Sequence, residues 1–142
     1  MSVRTSTAQW EGDLKGGKGT MTVGSGAYTG PFSFASRFEE GEGTNPEELI
    51  AAAHAGCYSM AFSNTLAKEG HTPKRVNTRA NVHFGPDPAG GFHVSKIELV
   101  CDAEVPGIEA SKFQELAESA KANCPVSKLY KGAEITLKAT LK

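Results

Sequence analysis

Three side chains in this sequence can act as nucleophiles, redox groups or soft metal ligands: Cys57, Cys101 and Cys124. A cysteine reacts as its thiolate, so its surroundings decide whether it works or merely fills space. Three thiols cannot all pair within one chain, which excludes a disulfide scaffold. Cys101 falls in register with Ile97, Leu99 and Ala103 in an alternating run, so it reads as a small buried hydrophobe. Cys57 lies in His54-Ala55-Gly56-Cys57-Tyr58-Ser59, where small neighbours leave room for a substrate or another backbone. Composition alone leaves it open between a reactive thiol and a core thiol in an Ala-rich helix. Cys124 precedes Pro125, which places it at the N-cap of a short helix. There the partial positive charge and free N–H groups of the helix end lower a thiol pKa. The alternative is a cysteine standing in for a serine cap.

A metal centre is the other chemistry these types permit. His54 and Cys57 are three apart and share a helix face, and Cys124 could supply a third zinc ligand. No second closely spaced ligand pair and no Cys-x-x-Cys accompanies them, so no metal is assigned. His54 reads instead as a helix residue hydrogen-bonded locally. The missing Cys-x-x-Cys also argues against a thioredoxin-type site.

The elements that carry these residues follow from periodicity and punctuation. Glycine turns at 12–19 and 24–26 separate short strands, and Phe32 to Phe38 reads as a further strand. In it Phe32, Phe34 and Phe38 share one face, and Arg37 points the other way with Ser33 and Ala35. After Thr44, Asn45 is the expected N-cap of a helix from about residue 46 to 69, with Pro46 at its first position. Glu48 stands three residues after the cap, where its carboxylate can reach back to the cap N–H. Gly70 supplies the stop. This helix is apolar around much of its circumference and so must be buried in the protein or in an oligomer. Residues 76–84 and 93–105 alternate as strands joined by the turn 85–91. Helices follow over about 110–122 and 125–130, and 133–141 alternate as a final strand. Strands separated by runs of helix give an α+β fold with a mostly antiparallel sheet.

Composition narrows the function classes. At 142 residues the chain suits one domain, residues 1–142, able to bury a core without staples. Its formal net charge of −1 gives no long-range field toward nucleic acid or an anionic membrane. No apolar leader opens the sequence and no window approaches the ~18 apolar residues of a membrane helix, so the expected compartment is the cytoplasm. Structural disulfides are rare there, and a cysteine pair is more often catalytic or metal-binding.

Three segments go further. WEGDLKGGKGT (10–20), TNPEELIAAAHAGCYSMAFS (44–63) and NCPVSK (123–128) together resemble the OsmC/Ohr family of hydroperoxide reductases, in order and over nearly the whole chain. The form AAAHAGC is similar to the osmotically inducible OsmC branch. The resemblance implies an OsmC-like α+β fold with long central helices and an intertwined homodimer with active sites at the interface. It implies a thiol peroxidase in oxidative or osmotic stress defence. Cys57 would attack the peroxide, Cys124 would resolve the product as a Cys57–Cys124 disulfide, and Arg37 and Glu47 would complete the site. Cys101 has no counterpart role. An organic hydroperoxide is the implied substrate, possible hydrogen peroxide reduction beside it, and an external dithiol the reductant. No cofactor, metal, nucleic acid or membrane partner is implied. A pocket lined by Phe, Met and Leu side chains would favour organic peroxides.

The chemistry suits these types. Arginine near Cys57 would favour the thiolate, and a carboxylate would orient the guanidinium in a bidentate pair. Helix rise adds a constraint, because Glu47 and Cys57 are ten residues apart, about 15 Å along one axis. A glutamate side chain spans much less, so Glu47 either holds a flexible Arg37 loop at a distance or acts in the partner's site, and the second is the favoured expectation. The competing reading is a non-enzymatic redox sensor or binding module switched by the same disulfide, and a third is a structural protein with inert thiols.

Overall fold

A tryptophan, a glycine and a phenylalanine set the register of the first sheet. In the computed structural model, which describes residues 1–142, strand β1 (Ser6–Glu11) pairs antiparallel with β2 (Lys18–Val23), and β2 pairs antiparallel with β3 (Thr29–Phe32). Gly19 lies opposite both Trp10 and Phe32. A Cβ there would meet Phe32 Cε1 at 2.5 Å and Trp10 Cε3 at 2.7 Å. The absent side chain lets the two rings pack across the middle strand, with centroids 5.3 Å apart. Trp10 Nε1 donates to the carbonyls of Gly12 and Asp13, which fixes the turn after β1.

The segment after β3 departs from the strand expected over 32–38. Ser33 stops the strand and caps a short helix, α1 (Phe34–Phe38). Its hydroxyl accepts from the Ser36 N–H, and Ser36 Oγ accepts from the Ser33 N–H, a reciprocal box formed by two serines. The phenylalanine spacing that suggested period two serves a helix instead: Phe34 and Phe38, four apart, stack at 4.8 Å. Local capping chemistry overrode a three-residue alternation.

The chain divides into two compact units, Met1–Leu49 and Ile50–Lys142. Helix α2 (Pro46–Lys68) contributes its first turn to one and the rest to the other. Asn45 caps it as expected, its Oδ1 accepting the Glu48 N–H at 2.8 Å. The Glu48 carboxylate does not reach back to the cap N–H. It accepts from the Thr44 hydroxyl at 2.7 Å. Gly70, at φ 84°, ends the helix as expected, with the His71 N–H returning to the Leu66 carbonyl.

In the second unit β4 (Arg75–Pro86) and β5 (Phe92–Glu104) form an antiparallel hairpin. Helices α3 (Ala110–Asn123) and α4 (Pro125–Leu129) then carry the chain over to β6 (Glu134–Leu141), which pairs parallel with β5. A parallel neighbour requires such a crossover, which explains the one parallel ladder in otherwise antiparallel sheets. The core is the inner face of β5 (Ile97, Leu99, Cys101, Ala103) against Tyr58, Phe62 and Leu66 of α2 and Phe113, Leu116, Ala117 and Ala120 of α3. Phe62 meets Phe113 edge-on at 5.3 Å. No helix is long and apolar enough to cross a membrane.

Candidate active site

Two pairs of side chains singled out from the sequence are each brought into contact. In the second unit, Cys57 of α2 and Cys124, between α3 and α4, place their sulfurs 3.2 Å apart, within hydrogen-bonding distance. Both thiols are free. A disulfide bond is about 2.0 Å long, so closure needs an approach of roughly 1 Å. The two thiols differ in access: Cys57 is half-buried, whereas Cys124 is covered completely.

They differ in electrostatics as well. Burial raises the Cys57 pKa, the Val126 N–H opposes this, and proximity to Cys124 adds to the rise. Burial also acts against a Cys124 thiolate. There it is outweighed by the Ser127 N–H, the Cys57 thiol, the Ser127 hydroxyl and the Val126 N–H, and the net direction is downward. The helix-terminus argument for Cys124 therefore holds, though as a neutral thiol it makes no capping hydrogen bond. The donors at the start of α4 thus favour a thiolate on the covered sulfur, whereas burial disfavours one on Cys57.

Cys101 is buried on β5 between Thr78 and Ala139 of the flanking strands, and burial raises its pKa. It is a core side chain, as its register indicated.

In the first unit, Arg37 and Glu47 form a bidentate ion pair. Arg37 Nε lies 3.2 Å from both carboxylate oxygens, and an Nη donates to Oε1 at 2.7 Å. The Glu47 carboxylate is nearly covered while the guanidinium remains a third exposed. Arg37 also lies over the Phe38 ring at 5.5 Å. Arg37 comes from α1, not from the strand expected there. Its placement depends on the loop between α1 and α2, held by Ser36 Oγ donating to the Thr44 carbonyl at 2.7 Å and Asn45 Nδ2 donating to the Ser36 carbonyl at 3.0 Å. Beside Arg37, Trp10, Leu14, Phe32, Phe34 and Phe38 line a cavity of about 220 Å³.

His54 is not hydrogen-bonded locally. It is fully buried, and its Nε2 lies 2.7 Å from Ser127 Oγ, 73 residues further along the chain. Burial lowers its pKa. Sequence reasoning missed Ser127. The signal was there in Cys124-Pro125-Val126-Ser127, which sets cap, N1, N2 and N3 in order, the N3 side chain being the one that reaches back to the cap.

A family model described as OsmC-like protein matches residues 39–139. The chain is 51% identical over 136 residues to Peroxiredoxin OsmC of Escherichia coli strain K12, spanning 95% of this chain and 94% of that protein. It is 31% identical over 131 residues to the organic hydroperoxide resistance protein OhrB of Bacillus subtilis strain 168, spanning 90% and 93%. The crystal structure of Bacillus subtilis OhrB superposes with a TM-score of 0.70 at 25% identity, covering 97% of this chain and 98% of that one.

Proposed function

The chain belongs to the OsmC-like protein family, and from that membership we propose that Cys57 and Cys124 reduce organic hydroperoxides in a cycle of thiol, sulfenic acid and disulfide. The protein is a cysteine-based peroxidase of oxidative stress defence, as its likeness to a peroxiredoxin and to organic hydroperoxide resistance proteins supports. The observation that carries the residue assignment is the 3.2 Å approach of two sulfurs of unequal exposure.

The steps balance as follows. The Cys57 thiolate attacks the outer oxygen of the peroxide, the O–O bond breaks, and the alkoxide leaves with the electron pair and takes up a proton. Cys57 is then a sulfenic acid. Cys124 attacks that sulfur, the S–S bond forms and water departs. An external dithiol reduces the disulfide, with dihydrolipoamide as a suitable probe. Because the Cys57 pKa is raised, its thiolate needs a guanidinium, and Arg37, oriented by Glu47, is the residue we assign to that task. We assign this pair to the partner chain's thiols in a homodimer, with the protein working in the cytoplasm. The aromatic cavity beside Arg37 suits the alkyl or aryl group of an organic peroxide.

Turnover tests the reading. Incubation with cumene hydroperoxide and dihydrolipoamide should consume peroxide in large excess over protein. A single stoichiometric burst would instead make the pair a redox switch. Absence of a Cys57–Cys124 disulfide in peptide mass maps after mild peroxide would make both thiols inert.

A further inference from the structure

The reaction above uses neither His54 nor Ser127, yet a 2.7 Å hydrogen bond joins them inside the second unit, where His54 is fully covered and Ser127 is 6% exposed. Their places in the sequence mirror those of the two thiols. His54 precedes Cys57 by three residues on α2, and Ser127 follows Cys124 by three at the start of α4. Residues three apart share a helix face. The Cys57–Cys124 contact at 3.2 Å and the His54–Ser127 contact at 2.7 Å are therefore two rungs between the same two elements, about 4.5 Å apart in helix rise. Burial sets the polarity of the second rung. His54 Nδ1 is covered and has no hydrogen-bond partner, and a proton there would leave a buried donor unsatisfied, which is rarer and costlier than an unused lone pair. The proton sits on Nε2 and is donated to Ser127 Oγ. The Tyr130 ring, at the end of α4, meets the imidazole edge-on at 5.6 Å and adds an apolar contact to the same seam.

We infer that His54 and Ser127 are positioning residues whose hydrogen bond pins α4 to α2 and so keeps Cys124 within reach of Cys57 once Cys57 is a sulfenic acid. The inference rests on the proposed roles of the two thiols. Two reactions compete for that sulfenic acid. In one, Cys124 attacks the Cys57 sulfur, the S–S bond forms, the S–O bond breaks and the hydroxyl leaves with a proton as water. In the other, the sulfenic sulfur attacks a second hydroperoxide, the O–O bond breaks, Cys57 gains a second oxygen as sulfinic acid and an alcohol departs. Cys57 is half-buried, so a second peroxide can reach it whenever closure is slow. Closure outruns that attack only while the two sulfurs are held together, the advantage that fixed orientation gives an intramolecular step. The thiol contact cannot supply this hold by itself. Its S–H donor is weak, and its acceptor, Cys57 Sγ, is the atom that takes up oxygen. The His54–Ser127 rung contains no bond that the reaction changes. It also ties down an element that needs tying, because α4 has five residues and is too short to hold its shape by helix propagation.

The experiment reads the partition between the two fates. The full chain is reduced, freed of dithiol and mixed with increasing cumene hydroperoxide, and the products are weighed by mass spectrometry. A chain closed as the disulfide has lost two hydrogens, whereas an over-oxidised one has gained two oxygens. Fragmentation of the Cys57 peptide places those oxygens on Cys57 rather than on Met60. The quantity compared is the peroxide concentration at which half the chains end as sulfinic acid. In Ser127→Ala it should fall about tenfold below the parent value, the scale of one buried hydrogen bond. His54→Leu should lower it as far. His54→Gln, which keeps an N–H donor near the Nε2 position, should recover most of the parent value. The double variant Ser127→Ala/His54→Leu should fall no further than the lower single variant, because both changes remove one and the same contact. Additive losses would overturn the inference. So would a Ser127→Ala value equal to that of the parent, or a His54→Gln value as low as that of His54→Leu. A parent that forms no Cys57–Cys124 disulfide at any peroxide concentration would instead overturn the proposed role of Cys124, and the inference with it. Far-ultraviolet circular dichroism confirms folding, and Ser127→Ala, which removes one oxygen, still decides the matter should His54→Leu fail to fold.

Discussion

A thiol that meets peroxide must be reachable, whereas one that closes a disulfide can be covered, and Cys57 and Cys124 divide along that line. Their pKa shifts run the opposite way, and the proposed role of Arg37 is to favour the Cys57 thiolate. Arg37→Lys keeps a charge but loses the planar fork that grips both oxygens of Glu47. We expect kcat/KM for cumene hydroperoxide to fall roughly 10- to 100-fold, the worth of one or two charge-assisted hydrogen bonds. Steady-state peroxide consumption measures this, and an undiminished rate would remove Arg37 from the site. His54 makes a separate prediction about pH. Its folded-state pKa lies below the ordinary 6.5, so between the two values the unfolded chain binds the extra proton. Stability therefore rises with pH through this window and is lost as pH falls below about 6.5, with a slope of at most ~1.4 kcal/mol per pH unit. Glu98, held near 2 chiefly by hydrogen bonds from His83 and then Lys96, titrates below that window. Urea midpoints at pH 5, 6 and 7 should slope less in His54→Gln than in the parent, and parallel slopes would assign the dependence elsewhere.

Among the elements, α1 is where sequence and structure part, and it is the element that presents Arg37. Ser36 is 6% exposed and makes hydrogen bonds on both sides of the following loop. Ser36→Ala strands the Ser33 N–H and the Thr44 carbonyl, at a cost of about 1–3 kcal/mol. Turnover should fall with it, because the loop fixes the spacing between Arg37 and Glu47. Denaturant midpoints and peroxide consumption measure the two effects, and loss of stability with unchanged kcat/KM would detach the loop from the reaction. The long elements were legible because each repeats its signal. Asn45 and Gly70 bracket α2, four apolar residues mark the α3 stripe, and β5 alternates over more than ten residues. Segment 32–38 gave only three phenylalanines, a number that fits period two or a helical turn equally well. A capping box of two serines decided it. The local placement of Cys124 was readable from Cys-Pro, whereas the partner of His54 lies 73 residues away, beyond any periodicity.

At the scale of the molecule, the two candidate pairs belong to different compact units, Arg37–Glu47 to Met1–Leu49 and Cys57–Cys124 to Ile50–Lys142. Helix α2 runs unbroken through both Glu47 and Cys57, so the ten-residue rise of about 15 Å applies along its axis. A carboxylate on the first turn cannot touch a sulfur three turns on. The family resemblance puts both pairs in one reaction, and the proposal is that a second copy of the chain lends its Arg37 and Glu47 to this copy's thiols. Mixing subunits tests it. Glu47→Ala and Cys57→Ser chains should each be inactive or nearly so as homodimers. After denaturation and refolding together in equal amounts, half the dimers are mixed, and each mixed dimer holds one site with an intact Cys57 served by the partner's intact Glu47. Activity should then recover to about a quarter of the parent value, because half the dimers carry one working site of two. If the pairs instead serve the thiols of their own chain, every site in the mixture lacks either its carboxylate or its nucleophile. No activity would return, and the assignment to the partner would fall while the roles of Cys57 and Cys124 stood.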